Sequence, residues 1–307
     1  MMKKRYRLFS EHLKRRFGGR VHKISIDAGF GCPNRSDGRA GSGCLFCDPG
    51  GSGAVGIERD LSITDQLAAG HDVMVRKYKA KRFMAYFQPF SNTFAPVARL
   101  MRDYDEALRA PDVVGLAIGT RPDCLPDEVL EMLAEYHRQT YLWLEIGLQS
   151  SHDVTLARLR RGHDYACFLD AYRRAKQQGL RVCVHVIIGL PGESRRQVLE
   201  TADEMARLRI DGVKLHLLHV LRGTPLGDLY EKGEIDVLAM RDYVTLVCDV
   251  IERLHPATLI HRLTGDGPRD SLLAPLWSLN KWEVLNAIDA ELERRGTQQG
   301  DRCERGS

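Results

Sequence analysis

From Val21 to about Val220 the sequence repeats one unit: a short apolar run, polar residues at its end, then an amphipathic stretch. Runs at 21–27 (VHKISID), 83–88 (FMAYFQ), 113–118 (VVGLAI), 141–147 (YLWLEIG), 181–188 (RVCVHVII) and 213–219 predict strands. Between them, helical patterns fall at about 62–80, 95–109, 126–138, 152–178 with a break near Gly162, and 194–208. Strands alternating with helices of this length build βα units, and units in series build a parallel sheet. Six of them predict an α/β fold, a partial (β/α)6 TIM-like barrel, two units short of closure. After Val220 the rhythm loosens into helical stretches at about 240–254 and 280–295. The expected organisation is thus a basic N-terminal arm at 1–20, the barrel at 21–225, a C-terminal helical extension at 226–296 and a frayed polar tail at 297–307.

Side chains alternate across a strand. Ser25 and Asp27 therefore share a face of the first strand, and Trp143, Glu145, Gly147 and Gln149 share one of the fourth. Cys183 and His185 share a face of the fifth, Lys214 and His216 one of the sixth. A barrel core is ordinarily filled by branched apolar side chains. Polar residues pointing the same way from several strands imply a lumen that holds a ligand, whereas any one alone would read as a hydrogen-bonded core group.

Eight cysteines are present, and only Cys32, Cys44 and Cys47 cluster, in GFGCPNRSDGRAGSGCLFCDPGG directly after the first strand. A structural zinc takes four ligands, and an ordinary four-iron cluster takes one thiolate per iron. Three thiolates on such a cluster leave one iron open, so the spacing points to a cluster that performs chemistry. A zinc-binding nucleic-acid module, closed by a histidine such as His22, is the alternative. Cys124, Cys167, Cys183, Cys248 and Cys303 are dispersed, and buried small hydrophobes are the simpler reading for all but the last.

Composition narrows the setting. Hydrophobic residues make up 43% and charged residues 28% of 307, ordinary for a globular protein. No apolar run approaches the roughly 18 residues of a membrane span, and the start lacks the apolar core of a secretory signal. A cytoplasmic protein with reduced thiols and no membrane partner is expected. The net charge of +4 is uneven, because residues 1–23 carry nine Lys or Arg against the single acid Glu11. A basic arm on a mildly acidic body fits a phosphate backbone, and a solvated helix face fits it equally well.

The cysteine loop, YFQPFSNT after the second strand, LEIGLQS on the fourth, LRRGHD in the following helical stretch and VIIGLPGES after the fifth together resemble the radical S-adenosylmethionine superfamily. The likeness is to its Elongator-like branch, and within that to the small bacterial YhcC-like family. It extends from about Arg5 to Gly300 and includes LHVLRGTPL and LNKWEVLNAIDAELERRG. The first cysteine gap is longer than the commonest superfamily spacing, as it is in the Elongator-like branch.

The resemblance implies an enzyme in which Cys32, Cys44 and Cys47 hold a 4Fe-4S cluster whose open iron chelates S-adenosylmethionine. Reductive cleavage of that cofactor then yields a 5′-deoxyadenosyl radical. It implies further that Gln88 through Thr93, including Asn92, bind the methionine ammonium largely through backbone. Thr120 and Arg121 would face cofactor or substrate, and Glu145 with Gln149, the polar pair of strand four, would bind the cofactor. Arg161 would pair with the methionine carboxylate, His185 would meet the ribose hydroxyls, and Gly189, Pro191 and Gly192 would shape the adenine-side turn. GLPGES lacks the lysine of a phosphate loop, so nucleoside triphosphate binding is not expected. The branch implies tRNA modification at the wobble uridine side chain, with an electron donor of the flavodoxin or ferredoxin type; a small-metabolite substrate is the alternative. No second cysteine cluster is present for sulfur insertion, and with the chain read to Ser307 acetyl transfer is not expected.

Overall fold

The computed structural model describes residues 4–35, 43–51, 60–265 and 267–303. The chain opens with α1 (Phe9–Phe17) and then alternates β1 (His22–Ile26), α2 (Ile63–Tyr78), β2 (Phe83–Phe87), α3 (Val97–Arg109), β3 (Val113–Thr120), α4 (Asp127–Gln139) and β4 (Tyr141–Gln149). There follow α5 (Asp153–Arg158), α6 (Tyr165–Gln177), β5 (Val182–Ile188), α7 (Arg195–Arg207), β6 (Gly212–Leu217), β7 (Val220–Leu221) and α8 (Pro225–Glu231). The last elements are α9 (Met240–Arg253), β8 (Leu259–Arg262), β9 (Leu272–Ala274) and α10 (Lys281–Arg295). Local chemistry sets the helix starts: Ser62 and Asp164 cap α2 and α6, and Ser194 with Gln197 forms a capping box on α7.

Seven strands pair in the order β1-β2-β3-β4-β5-β6-β8, every pair parallel, so the sheet curls into an α/β partial barrel. All six expected strands are present. The seventh, β8, comes from the segment expected to be purely helical, and β9 pairs with β7 in a separate ribbon. Helices cover the outer face, where Leu116, Ile118, Leu142, Leu144, Val182 and Val184 lie in the main core. The inner face carries a second cluster, including Met84, Tyr86, Ala117, Trp143 and Cys183.

Both termini are bound more firmly than their composition predicts. Tyr6, Phe9 and Leu13 are buried, and Leu8 forms a parallel bridge with Ile260. The first segment is therefore the floor of the barrel: Phe9 stacks on His261 at 3.7 Å and meets Trp143 edge-on at 5.3 Å. Only its polar side, with Lys14, Arg15 and Arg16, is exposed. The expected frayed tail is likewise tied down through Cys303. Gln299 donates its N–H to the Arg5 carbonyl (2.9 Å), its side-chain oxygen accepts from the Arg7 N–H (2.9 Å), and Arg302 N–H reaches the Glu252 carbonyl (2.8 Å). Buried Glu252 and the neighbouring Asp249 supply the acidic partners for Arg295 that hold α10 to α9.

Candidate active site

Beyond Ile26 the chain crosses the open, C-terminal end of the barrel and presents Cys32, Cys44 and Cys47, the second of them buried. Leu45 anchors the loop among Leu159, Ile187, Leu190, Leu218 and Leu226. Its N–H bonds the Leu159 carbonyl (3.0 Å), and its own carbonyl accepts from Leu226 (3.0 Å). Arg35 clamps the second half of the loop by donating to the carbonyls of Cys47 (2.9 Å) and Pro49 (3.2 Å). Cys44 Sγ accepts from Arg161 Nη1 (3.4 Å) and Asn34 Nδ2 (3.5 Å).

A zinc site closed by His22 does not fit this geometry. His22 opens β1 at the other end, stacked on Tyr78 at 5.0 Å, and five residues of strand span about 15 Å. Zn–S bonds of about 2.3 Å also bring sulfurs to about 3.8 Å of one another. Among the described residues, the one trio of ligand-type side chains with ligating atoms all within 4.8 Å is Glu145, Cys183 and His261. The three loop sulfurs are thus not all within 4.8 Å of one another, wider than a single shared ion requires.

Most residues singled out in the sequence gather at this rim. Arg161 donates Nη2 to the Gly147 carbonyl (3.0 Å), and Arg121 donates to the Arg161 carbonyl (2.8 Å) while forking onto Asp123. A side chain at position 147 would displace both groups, because a Cβ there would stand 2.7 Å from Arg161 Nη2 and from Gln149 Nε2. Gln149 ends β4 in the left-handed region, φ 76°, at a break in strand register. Gln88 accepts a bond from Ser25 Oγ (3.0 Å). Asn92 and Thr93 spend their side-chain donors internally: Asn92 Nδ2 bonds the Pro89 and Gly119 carbonyls, and Thr93 Oγ1 meets Thr120 and the Cys124 carbonyl. What this turn offers a ligand is chiefly backbone. Gly189 and Pro191 line a cleft of about 610 Å3 between the end of β5 and the segment before α9, shared with Leu238, Asp242 and Leu246. Gly192 stands at φ 70°, where a side chain is strained, and a Cβ would also displace the Arg158 guanidinium, whose Nη1 is 1.7 Å away.

Glu145 and His185 lie deeper, in a network the rim does not share. The fully buried Glu145 carboxylate receives Lys23 on Oε1 and Lys214 on Oε2, with His185 Nε2 at 2.9 Å from Oε2 and His261 Nδ1 at 3.8 Å from Oε1. Lys214 also donates to Tyr86 Oη at 2.8 Å. Burial opposes the Glu145 charge, but the two ammonium groups outweigh it and hold this carboxyl well below its usual range. Burial, reinforced by Lys214, pushes His185 down to about 4, so its imidazole is neutral. Both Glu145 oxygens are taken, which differs from the cofactor contact the resemblance implies and leaves this residue as the hub of the lumen. Of the trio Glu145, Cys183 and His261, the carboxylate is already engaged by the two lysines. Sequence reasoning missed Lys23, Tyr86 and His261. Lys23 shares its strand face with Ser25, so alternation could have found it; His261 sits on a strand too short to signal itself.

A family model for the Radical SAM superfamily matches residues 28–205, and one for a Radical_SAM C-terminal domain matches 210–294. The chain belongs to the radical SAM superfamily. It is similar to YtqA of Bacillus subtilis, 46% identical over 300 residues covering 97% of this chain and 92% of that one. It is also similar to YhcC of Escherichia coli, 41% identical over 299 residues covering 97% and 95%. Elongator complex protein 3 of Schizosaccharomyces pombe is 30% identical over 201 residues, 61% of this chain and 36% of the yeast protein. The fold is shared with the archaeal Methanocaldococcus infernus Elp3, TM-score 0.68 at 16% identity, covering 93% of this chain and 65% of that one.

Radical SAM enzymes use a 4Fe-4S cluster and S-adenosylmethionine. The residues here fit both groups. Three spread thiolates sit at the open end, one already supplied with N–H donors. Two further buried polar atoms there, Arg161 Nε and Asn92 Oδ1, have no partner among the described residues, which leaves a donor and an acceptor for a polar ligand. Among the described residues no helix is long and apolar enough to cross a membrane.

Proposed function

We propose that this radical SAM enzyme modifies tRNA, at the side chain of a wobble uridine. The observation that carries the reading is the similarity to Elongator complex protein 3, 30% over 201 residues, because nearby branches of the superfamily act there. In this reading Cys32, Cys44 and Cys47 hold the cluster. Arg161, fixed by Gly147 and Arg121, receives the methionine carboxylate, and the turn from Gln88 to Thr93 receives the ammonium through backbone. Gln149 and the cleft lined by Gly189 and Pro191 take the nucleoside part, with His185 below them. Cluster and cofactor together supply one-electron chemistry that ends in hydrogen abstraction. The chain's own contribution is to orient these groups over a lumen filled by the Glu145 network. The reducing partner is a small protein of the flavodoxin or ferredoxin type.

The basic helix α1 bears on the choice of substrate. It lies at the closed end, whereas the cysteine loop lies at the open end, and the nine residues of β4 span about 30 Å between them. A molecule that touches both must be larger than a metabolite, and tRNA is large enough. The test is a comparison of tRNA nucleosides from a strain lacking the protein with those of its parent. A modified uridine lost or replaced by its precursor supports the reading; identical profiles overturn it and favour a small-molecule substrate.

A further inference from the structure

The wall built from β5, β6 and β8 is unlike the rest of the lumen. β8 pairs with β6 as Gly212 to Leu259 and Val213 to Ile260, then skips a residue so that Lys214 faces Arg262. A bulge of this kind re-aims side chains. Leu259 packs in the inner cluster and Ile260 in the outer core, so strict alternation would turn Arg262 outward. The extra residue, His261, packs on Phe9 and Trp143, and Arg262 comes to lie beside Lys214. Arg262 forms no hydrogen bond or ion pair with any described residue. His216, two residues beyond Lys214, has a buried Nε2 that is likewise without a partner among the described residues, and its ring centroid is 5.0 Å from that of His185. Burial, His185 and Arg262 hold His216 well below its ordinary range, so it is a neutral hydrogen-bonding group. Gly265 lies against this guanidinium: a Cβ there would be 3.4 Å from Arg262 Nη1, in van der Waals contact.

In this lumen Lys23 and Lys214 saturate the buried Glu145 carboxylate, so that none of it is left for Arg262 beside Lys214. Among the described residues the half-buried guanidinium has no counter-charge, an arrangement that an oxyanion relieves and that suits bidentate recognition. We propose that Arg262, with His216 beside it, binds an anionic oxygen group of the substrate, a carboxylate or a phosphate, at the β6–β8 side of the barrel mouth. The proposal rests on reading that mouth as the substrate side. It gives the enzyme a group that selects its substrate by charge, apart from Arg161 beside Cys44.

Isothermal titration of the cluster-loaded protein with acetate, with inorganic phosphate and with S-adenosylmethionine tests it. Wild-type protein should bind at least one of the two anions. Arg262→Gln should weaken that binding about tenfold or more, the scale of a lost charge-assisted hydrogen bond, and His216→Gln should weaken it several-fold. Affinity for S-adenosylmethionine should stay the same in both. A preference for phosphate identifies the nucleic-acid backbone as the source, and a preference for acetate identifies a carboxylated side chain. Anion binding unchanged in Arg262→Gln, or absent from wild type, overturns the proposal. So does a parallel loss of S-adenosylmethionine affinity, which would assign Arg262 to the cofactor. Arg262→Lys keeps the charge without the fork and gives an intermediate loss, so it serves if the glutamine variant does not fold. Anion binding that persists in a protein with no affinity for tRNA would remove the tRNA reading and leave this subsite standing.

Discussion

At the residue scale, Cys44 is the most constrained of the three thiolates, because it is buried and touched by Arg161 and Asn34. Cys44→Ala protein reconstituted with iron and sulfide should lose its absorbance near 400 nm and most of its iron, since an iron there has no other protein ligand. Cys248→Ala, whose thiol lies buried beside the Ile288 carbonyl away from the loop, should keep both. Full iron content in the Cys44 variant would refute the cluster assignment.

The buried histidines give a pH prediction. Burial pushes His185 down to about 4, aided by Lys214, and His163 down to about 4, aided by Arg161. In the unfolded chain both titrate near 6.5. Between these values the unfolded state binds more protons, so stability rises with pH across the window from 4 to 6.5 and is lost on acidification. The loss is about 3 kcal/mol for one fully buried imidazole. Urea unfolding at a series of pH values should show this slope, and His185→Gln should reduce it by about one proton. A slope the substitution does not change would mean that His185 is charged in the fold.

At the scale of elements, the six strands with a clean polar and apolar alternation were legible in the sequence, and so was the polar lumen they imply. Lys214, Glu145 and His185 are where alternation places them. β8 was not legible, because its four residues contain a bulge that puts Arg262 on the inner side against a period of two. The docking of α1 was hidden by its charge. Phe9, Leu13 and Phe17, spaced four apart, form the apolar stripe that closes the floor, yet nine basic residues in this region draw the eye to its solvent face. The tail was misread for the same reason: GTQQGDRC is polar throughout, but its backbone and Gln299 are bound to Arg5, Arg7 and Glu252. The rim was legible chiefly through motifs: alternation placed Gln149 on the face of Glu145, but Arg161 shows no periodicity of its own. Phe9→Ala should therefore cost about 3–4 kcal/mol, as for other fully packed phenylalanines, with a matching fall in the urea midpoint. A cost below about 1 kcal/mol would mean that α1 is an independent arm after all.

At the scale of the whole molecule, charge and chemistry sit at opposite ends of the barrel. Lys14, Arg15 and Arg16 are exposed on the floor, joined there by Arg181, which lies over Tyr141 at 5.0 Å. The cysteine loop and Arg262 are at the mouth. This separation makes the size of the bound molecule an observable. Replacing Lys14, Arg15 and Arg16 together by alanine should weaken full-length tRNA binding and reduce the dependence of log affinity on log salt by roughly two to three, one unit or slightly less per lost phosphate contact. A trinucleotide carrying the target uridine is too short to span about 30 Å from mouth to floor, so its affinity should not change in the same variant. The iron content should not change either, because the floor shares no residue with the loop. Equal losses for the two RNAs would mean that the substitutions act through the fold. No loss for full-length tRNA would confine recognition to the mouth, where Arg262 and the rim would have to provide all of it.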